Sequence, residues 1–76
     1  MDPRGIHYIV EASGCSEVIG EVDRMQEILV EAARKANTHV WAVSFHRFPP
    51  NGVSGVVVIS ESHLSVHTWP EARYLA

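Results

Sequence analysis

The chain has 76 residues, of which 46% are hydrophobic, 20% charged and 8% aromatic, the composition of one small folded domain rather than of a disordered segment. Its net charge of −3, with six basic residues scattered along the chain, offers no stripe for a phosphate backbone, so nucleic acid is not expected as a partner. A single cysteine, Cys15, permits neither an internal disulfide nor a thiolate metal cage.

These features suit a cytoplasmic protein with no membrane partner. The opening Met-Asp-Pro-Arg-Gly lacks the apolar stretch of a signal peptide, and the longest apolar run, Val56 to Ile59, is far too short to cross a bilayer. A chain of this size buries only about 60% of its unfolded surface on folding, so a partner surface is expected.

From Ile6 to Glu11 the apolar residues Ile6, Tyr8 and Val10 recur at every second position, which predicts a first strand. Ala12 to Ser16, with Gly14 inside it, reads as a turn. Between Val22 and Ala36 the apolar positions Val22, Met25, Ile28, Leu29, Ala32 and Ala36 are three or four apart, which predicts an amphipathic helix. Asp23 near its start and Arg34 and Lys35 near its end complement the helix dipole, and Asn37 is a suitable stop.

Thr38 to Phe48 is rich in β-branched and aromatic residues and predicts a second strand. Pro49-Pro50-Asn51-Gly52 is a strong turn. Val53 to Ser60 then predicts a third strand, whose apolar run suggests burial on both faces. The sum is an α+β fold, a βαββ portion of an α/β sandwich in which an antiparallel sheet is covered by the helix on one face, within a single domain over residues 1–76. Val66 to Trp69 reads as a further short strand ended by Pro70, and Ala72 to Ala76 as the start of another.

Chemistry concentrates between Glu61 and Glu71, where two histidines, two serines and two carboxylates fall within eleven residues just after a buried strand. If Val66 to Trp69 is extended, His67 and Trp69 share the face opposite Val66 and Thr68, and an imidazole there can carry a proton near neutral pH. On spacing alone, Ser62 also reads as a turn serine and His67 as a structural histidine. A metal site on His63 and His67 requires a helix, which Val66, Thr68 and Pro70 oppose, and no third ligand stands out, so no metal is expected.

The run Ser60-Glu61-Ser62-His63-Leu64-Ser65-Val66-His67-Thr68-Trp69-Pro70-Glu71, with Phe45-His46-Arg47-Phe48 and Gly52-Val53-Ser54-Gly55-Val56-Val57-Val58 before it, resembles the prokaryotic type of pyruvoyl-dependent S-adenosylmethionine decarboxylase proenzyme. The resemblance covers nearly the whole chain. It implies self-processing, in which the Ser62 hydroxyl attacks the Glu61 carbonyl, the amide becomes an ester, and β-elimination cleaves the chain between residues 61 and 62. The new α-chain then begins with a pyruvoyl cofactor derived from Ser62, which forms a Schiff base with the substrate amine and accepts electrons as carbon dioxide leaves.

By the same resemblance Ser54 stabilises the processing intermediate and His67 is the base for elimination. Phe48 and His67 stack on the adenine, Leu64 meets its edge through the backbone, Glu71 binds the ribose hydroxyls and Glu11 is an acidic group nearby. The implied product feeds polyamine synthesis, and the implied assembly is a homodimer of processed α/β protomers with sites near the interface. The family's catalytic cysteine lies in the strand after Pro70-Glu71, beyond Ala76, and Cys15 is no substitute, so a further βαβ-sized portion is expected to complete the fold. Two alternatives remain open at this stage: a pyruvoyl-dependent decarboxylase of arginine or ornithine, and a non-catalytic fragment that docks on a longer subunit.

Overall fold

The computed structural model describes residues 8–60 and 62–76. A 3₁₀ turn (η1, Glu17–Gly20) leads into helix α1 (Val22–Lys35), followed by strands β1 (Val40–Phe48), β2 (Gly52–Ile59) and β3 (Ser62–Trp69). A second 3₁₀ turn (η2, Pro70–Ala72) precedes the two-residue strand β4 (Tyr74–Leu75). The strands form one antiparallel meander in the order β1-β2-β3-β4.

Helix α1 lies where the 3.6-residue period places it, and Asn37 adopts the left-handed conformation (φ 59°) expected of a stop. The Thr38 hydroxyl donates to the Ala33 carbonyl at 2.7 Å and so satisfies one carbonyl left over at the helix end. The buried side of the helix is rotated from the expected stripe. Met25 and Ala33 are buried and Val22 and Leu29 pack against the core, while Ile28, Ala32 and Ala36 face outward. The apolar stripe is broad enough to admit either orientation, and contact with the sheet selects one.

Because side chains alternate along a strand, the register defines two faces. Phe45, Val53, Val57, Val66 and Thr68 share the face toward α1, and Ile19, Met25, Val53 and Val66 form its buried cluster. Thr68 joins the layers there. Its hydroxyl donates to the Ile19 carbonyl and accepts from the Val53 amide, each at 2.9 Å, so no buried polar group at this junction lacks a partner. Gly55 is required in the same layer, since a side chain there would overlap the Phe45 ring that covers it.

The opposite face carries Ser44, His46, Phe48, Ser54, Val56, Val58, His63, Ser65, His67 and Trp69, and no element among the described residues covers it. The expectation that β2 is buried on both faces therefore fails within this chain. Val53 and Val57 are buried, but Val58 is exposed. A bulge at Trp41, where β1 advances two residues from Val40 to Ala42 against one on β2, leaves that indole exposed as well.

Three further expectations need correction. Ile6 and His7 of the expected first strand lie outside the described residues, and Tyr8 to Glu11 form no strand. Of the described residues before η1, only Ala12 pairs with the sheet, through a bridge to Leu75. The polar residues from Ser62 onward form strand, so that β3 begins at Ser62 rather than at Val66. Pairing with β2 overrides their low apolar content. Finally, Pro70 to Ala72 form a 3₁₀ turn before the last strand, which starts at Tyr74 and not at Ala72.

Candidate active site

The open face is organised in rows that cross the strands. Register aligns His46, Ser54 and His67 in one row, and toward the same end of the sheet it sets Phe48 beside Gly52 and Trp69 beside Tyr74. Ser54 Oγ and His67 Nδ1 are 2.8 Å apart, and Ser44 Oγ and His46 Nε2 are 3.0 Å apart. When Nδ1–H of His67 donates to Ser54, Nε2 retains its lone pair and is the atom able to take a proton. In the other tautomer the serine donates and Nε2 carries the hydrogen.

A cleft of about 230 Å³ opens over these rows, lined among others by Phe48, Gly52, Ser54, His67, Trp69 and Glu71. Four residues named from the sequence, Phe48, Ser54, His67 and Glu71, are thus brought together, although they come from β1, β2, β3 and η2. The alternation inferred for the end of β3 also holds: Val66 and Thr68 are buried, while His67 and Trp69 are exposed on the other face.

Ser62 and Leu64 are placed elsewhere. Ser62 pairs with Ile59 and Leu64 with Val57, toward the far end of β3 and on the helix-side face. Ser62 is five residues from His67 along a regular strand, about 16 Å at ~3.3 Å per residue, and the two point to opposite sides of the sheet. Within one chain the Ser62 hydroxyl therefore does not reach the Ser54–His67 pair. Glu61 lies outside the described residues. His63 and His67 share a face but stand four strand residues apart, about 13 Å, too far to hold one metal ion. Among the described residues no group of three potential ligands is close enough to do so.

Glu11 reaches the sheet from the side. The Ala12–Leu75 bridge brings it to Tyr74, whose hydroxyl donates to the Glu11 carboxylate, and Tyr74 in turn lies against Trp69 with ring centroids 5.4 Å apart and a tilt of 46°. The hydrogen bond to Glu11, then burial and the repulsion of its charge, raise the Tyr74 hydroxyl above its ordinary value. Cys15 is occupied structurally. Its amide donates to the Arg73 carbonyl at 2.9 Å and its own carbonyl accepts from Arg73 Nε at 2.7 Å, which ties the opening turn to β4.

Sequence reasoning left Gly52, Thr68 and Tyr74 without a role. The signal for Gly52 was its place in the turn, but its close approach to β3 appears only in the register: a side chain's first carbon at this position would sit 3.0 Å from the Thr68 carbonyl oxygen. Tyr74 depends on how β4 pairs with β3, which no local pattern encodes.

Architecture and site together define a particular class, an α+β half-sandwich whose helix-free sheet face carries a serine–histidine pair beside an aromatic cleft. Comparison with known proteins narrows it. Residues 6–76 match the family model described as S-adenosylmethionine decarboxylase, and the chain belongs to that family.

Over its full length the chain is 57% identical to an S-adenosylmethionine decarboxylase proenzyme of Pyrococcus abyssi, covering 55% of that protein. It is 52% identical to the proenzyme of Moorella thermoacetica, covering 62% of it. The crystal structure of the adenosylmethionine decarboxylase from Aquifex aeolicus superposes with a TM-score of 0.79 at 33% identity, over 86% of this chain and 54% of that one. The chain spans a little over half the length of these relatives.

Proposed function

We propose that this chain acts within a self-processing S-adenosylmethionine decarboxylase, cleaved between residues 61 and 62, whose product donates aminopropyl groups for polyamine synthesis. The observation that carries this reading is the 2.8 Å contact of Ser54 with His67 in a cleft that also holds Phe48 and Glu71. That set suits an adenosyl substrate: an aromatic face for the purine ring and the sulfonium charge, a carboxylate for the ribose hydroxyls, and an imidazole to move a proton.

The donor set also suits the formation of a pyruvoyl group. Ser62 supplies a hydroxyl at the exposed start of β3, and conversion needs an oxyanion stabiliser and a base, the roles taken by Ser54 and His67. Once formed, the group supplies an electron sink for the carbanion left when carbon dioxide departs. The residues of the cleft bind and orient the substrate, Phe48 and His67 by stacking and Glu71 by hydrogen bonding.

The distance of Ser62 from the Ser54–His67 pair adds a condition. Since the two ends of β3 cannot meet within one chain, we infer a homodimer in which Ser62 and Leu64 of one copy complete the cleft of the other. The uncovered sheet face, with Phe48, Val58 and Trp69 exposed, supports a partner surface. A cytoplasmic location is part of the same reading.

The test is intact mass spectrometry of the purified protein. Incubation is expected to convert the 8.4 kDa chain into two fragments, one beginning at a blocked residue 62, and Ser62→Ala is expected to abolish this. Ser62→Ala and His67→Ala chains expressed together should regain part of the cleavage that neither shows alone. Cleavage absent from the unaltered chain defeats the processing reading, and absence of complementation defeats the sharing of the site.

A further inference from the structure

The hydrogen bond between Ser54 and His67 can run in two directions, and only one of them serves the processing roles proposed above. With Nδ1–H of His67 donating to Ser54 Oγ across 2.8 Å, Nε2 keeps a lone pair that accepts a proton, and the serine keeps its own proton to give to an oxyanion. In the reverse direction Ser54 spends that proton on Nδ1 and Nε2 carries a hydrogen, so the pair holds neither a base nor an oxyanion donor. The productive direction needs a second acceptor beside Ser54, one that turns the hydroxyl away from His67.

His46 stands at that position. β1 and β3 flank β2, and the register sets His46 and His67 on either side of Ser54, with His46 one strand spacing away, about 4.8 Å. Along β2 the neighbours of Ser54 on this face are Gly52 and Val56, neither of which has a polar side chain. His46 is itself held, because its Nε2 lies 3.0 Å from Ser44 Oγ, two residues back on the same face of β1. When Nε2–H donates to Ser44, Nδ1 is the lone-pair nitrogen left to the row, at the span of one bridging water from the Ser54 hydroxyl on a face where His46 and His67 are both exposed.

We propose that His46 is a positioning residue: with its ring fixed by Ser44, it accepts from Ser54 and so keeps His67 in the Nδ1–H tautomer, with Nε2 free as the base. A directed chain then runs from Nδ1–H of His67 to Ser54, from Ser54 to Nδ1 of His46, and from Nε2–H of His46 to Ser44. This rests on the roles of Ser54 and His67 proposed above and adds the group that sets their polarity. His46 acts through Ser54, and an arriving oxyanion, a stronger acceptor than a neutral imidazole, takes over the serine proton.

Nitrogen-15 NMR of the histidine rings reads the tautomer directly, in a Ser62→Ala background that stays uncleaved and at a pH high enough to leave the imidazoles neutral. His67 is expected as the Nδ1–H tautomer in that chain and in His46→Asn, whose amide oxygen replaces the Nδ1 acceptor, and is expected to shift to Nε2–H in His46→Leu. With Ser62 restored, His46→Leu is expected to slow cleavage before residue 62 about tenfold or more, His46→Asn to recover most of the rate, and Ser44→Ala to slow it severalfold. An Nε2–H tautomer in the Ser62→Ala chain, an Nδ1–H tautomer kept in His46→Leu, or cleavage by His46→Leu at the unaltered rate overturns the proposal. Matching circular dichroism spectra separate lost direction from lost fold. Because the tautomer is read in chains that do not cleave, a tautomer that follows residue 46 without cleavage of the Ser62 chain defeats the processing reading and spares the positioning role.

Discussion

The two faces of the sheet are built from the same three strands, one residue out of step, and they hold opposite kinds of side chain. Toward the helix stand Phe45, Val53, Val57 and Val66, closed over by Met25 and Leu29 and pinned by the Thr68 hydroxyl. Away from it stand His46, Phe48, Ser54, His67 and Trp69, exposed or half-buried. A β-strand can thus serve as scaffold and as site at once, because alternation assigns every second residue to each task. Rigidity of the covered side is what holds the Ser54–His67 contact, since both residues are flanked by buried neighbours, Val53 next to Ser54 and Val66 and Thr68 around His67.

Substitutions on the two sides should separate stability from chemistry. The largest stability loss is expected from Thr68→Val, which strands the Ile19 carbonyl and the Val53 amide in the core. About 2 to 4 kcal/mol should be lost from the urea unfolding free energy. A loss within 0.5 kcal/mol means that water reaches the junction and that the covered face is less closed than described. Next comes the contrast of Val57→Ala, expected to cost about 2 kcal/mol, with its neighbour Val58→Ala on the open face, expected to stay within about 0.5 kcal/mol. Equal effects would erase the distinction between the faces, and a large effect at Val58 that grows with protein concentration would locate the partner surface there.

The smallest effect expected belongs to Tyr74. Its folded-state value is raised, so the folded chain holds the phenolic proton more tightly than the unfolded chain does. The corresponding stability is fully present below pH 10, the value of the unfolded group, and is lost as the pH rises through the folded value. Chemical denaturation between pH 9 and about 12 should show the loss, and Tyr74→Phe should remove its pH dependence. An unchanged alkaline profile in Tyr74→Phe would dissociate Glu11 from Tyr74.

Much of this architecture is legible along the chain. The period of α1, the Asn37 stop, β1 and the Pro-Pro-Asn-Gly turn follow from local patterns that agree with one another. β3 was legible only at its end, because Ser62, His63 and Ser65 are polar and such a run reads as loop. Those residues are strand because β2 offers a paired edge, and His63 and Ser65 are polar on the face turned away from the core. Ala33 was missed for a related reason: a broad apolar stripe leaves the helix free to rotate until a sheet fixes it. Glu11 was recognised as an acidic group near the site, but its partner Tyr74 depends on a bridge across 63 residues of sequence.

Residue types, their alternation and the helix period are properties of the chain read locally, and they suffice to say which side chains can share a face. Whether Ser54 meets His67, and how far Ser62 lies from both, are matters of register between strands. Register follows from burying Val53, Val57 and Val66 together under the helix, a choice made by the whole core at once, and a slip of one residue would turn every site side chain to the other face.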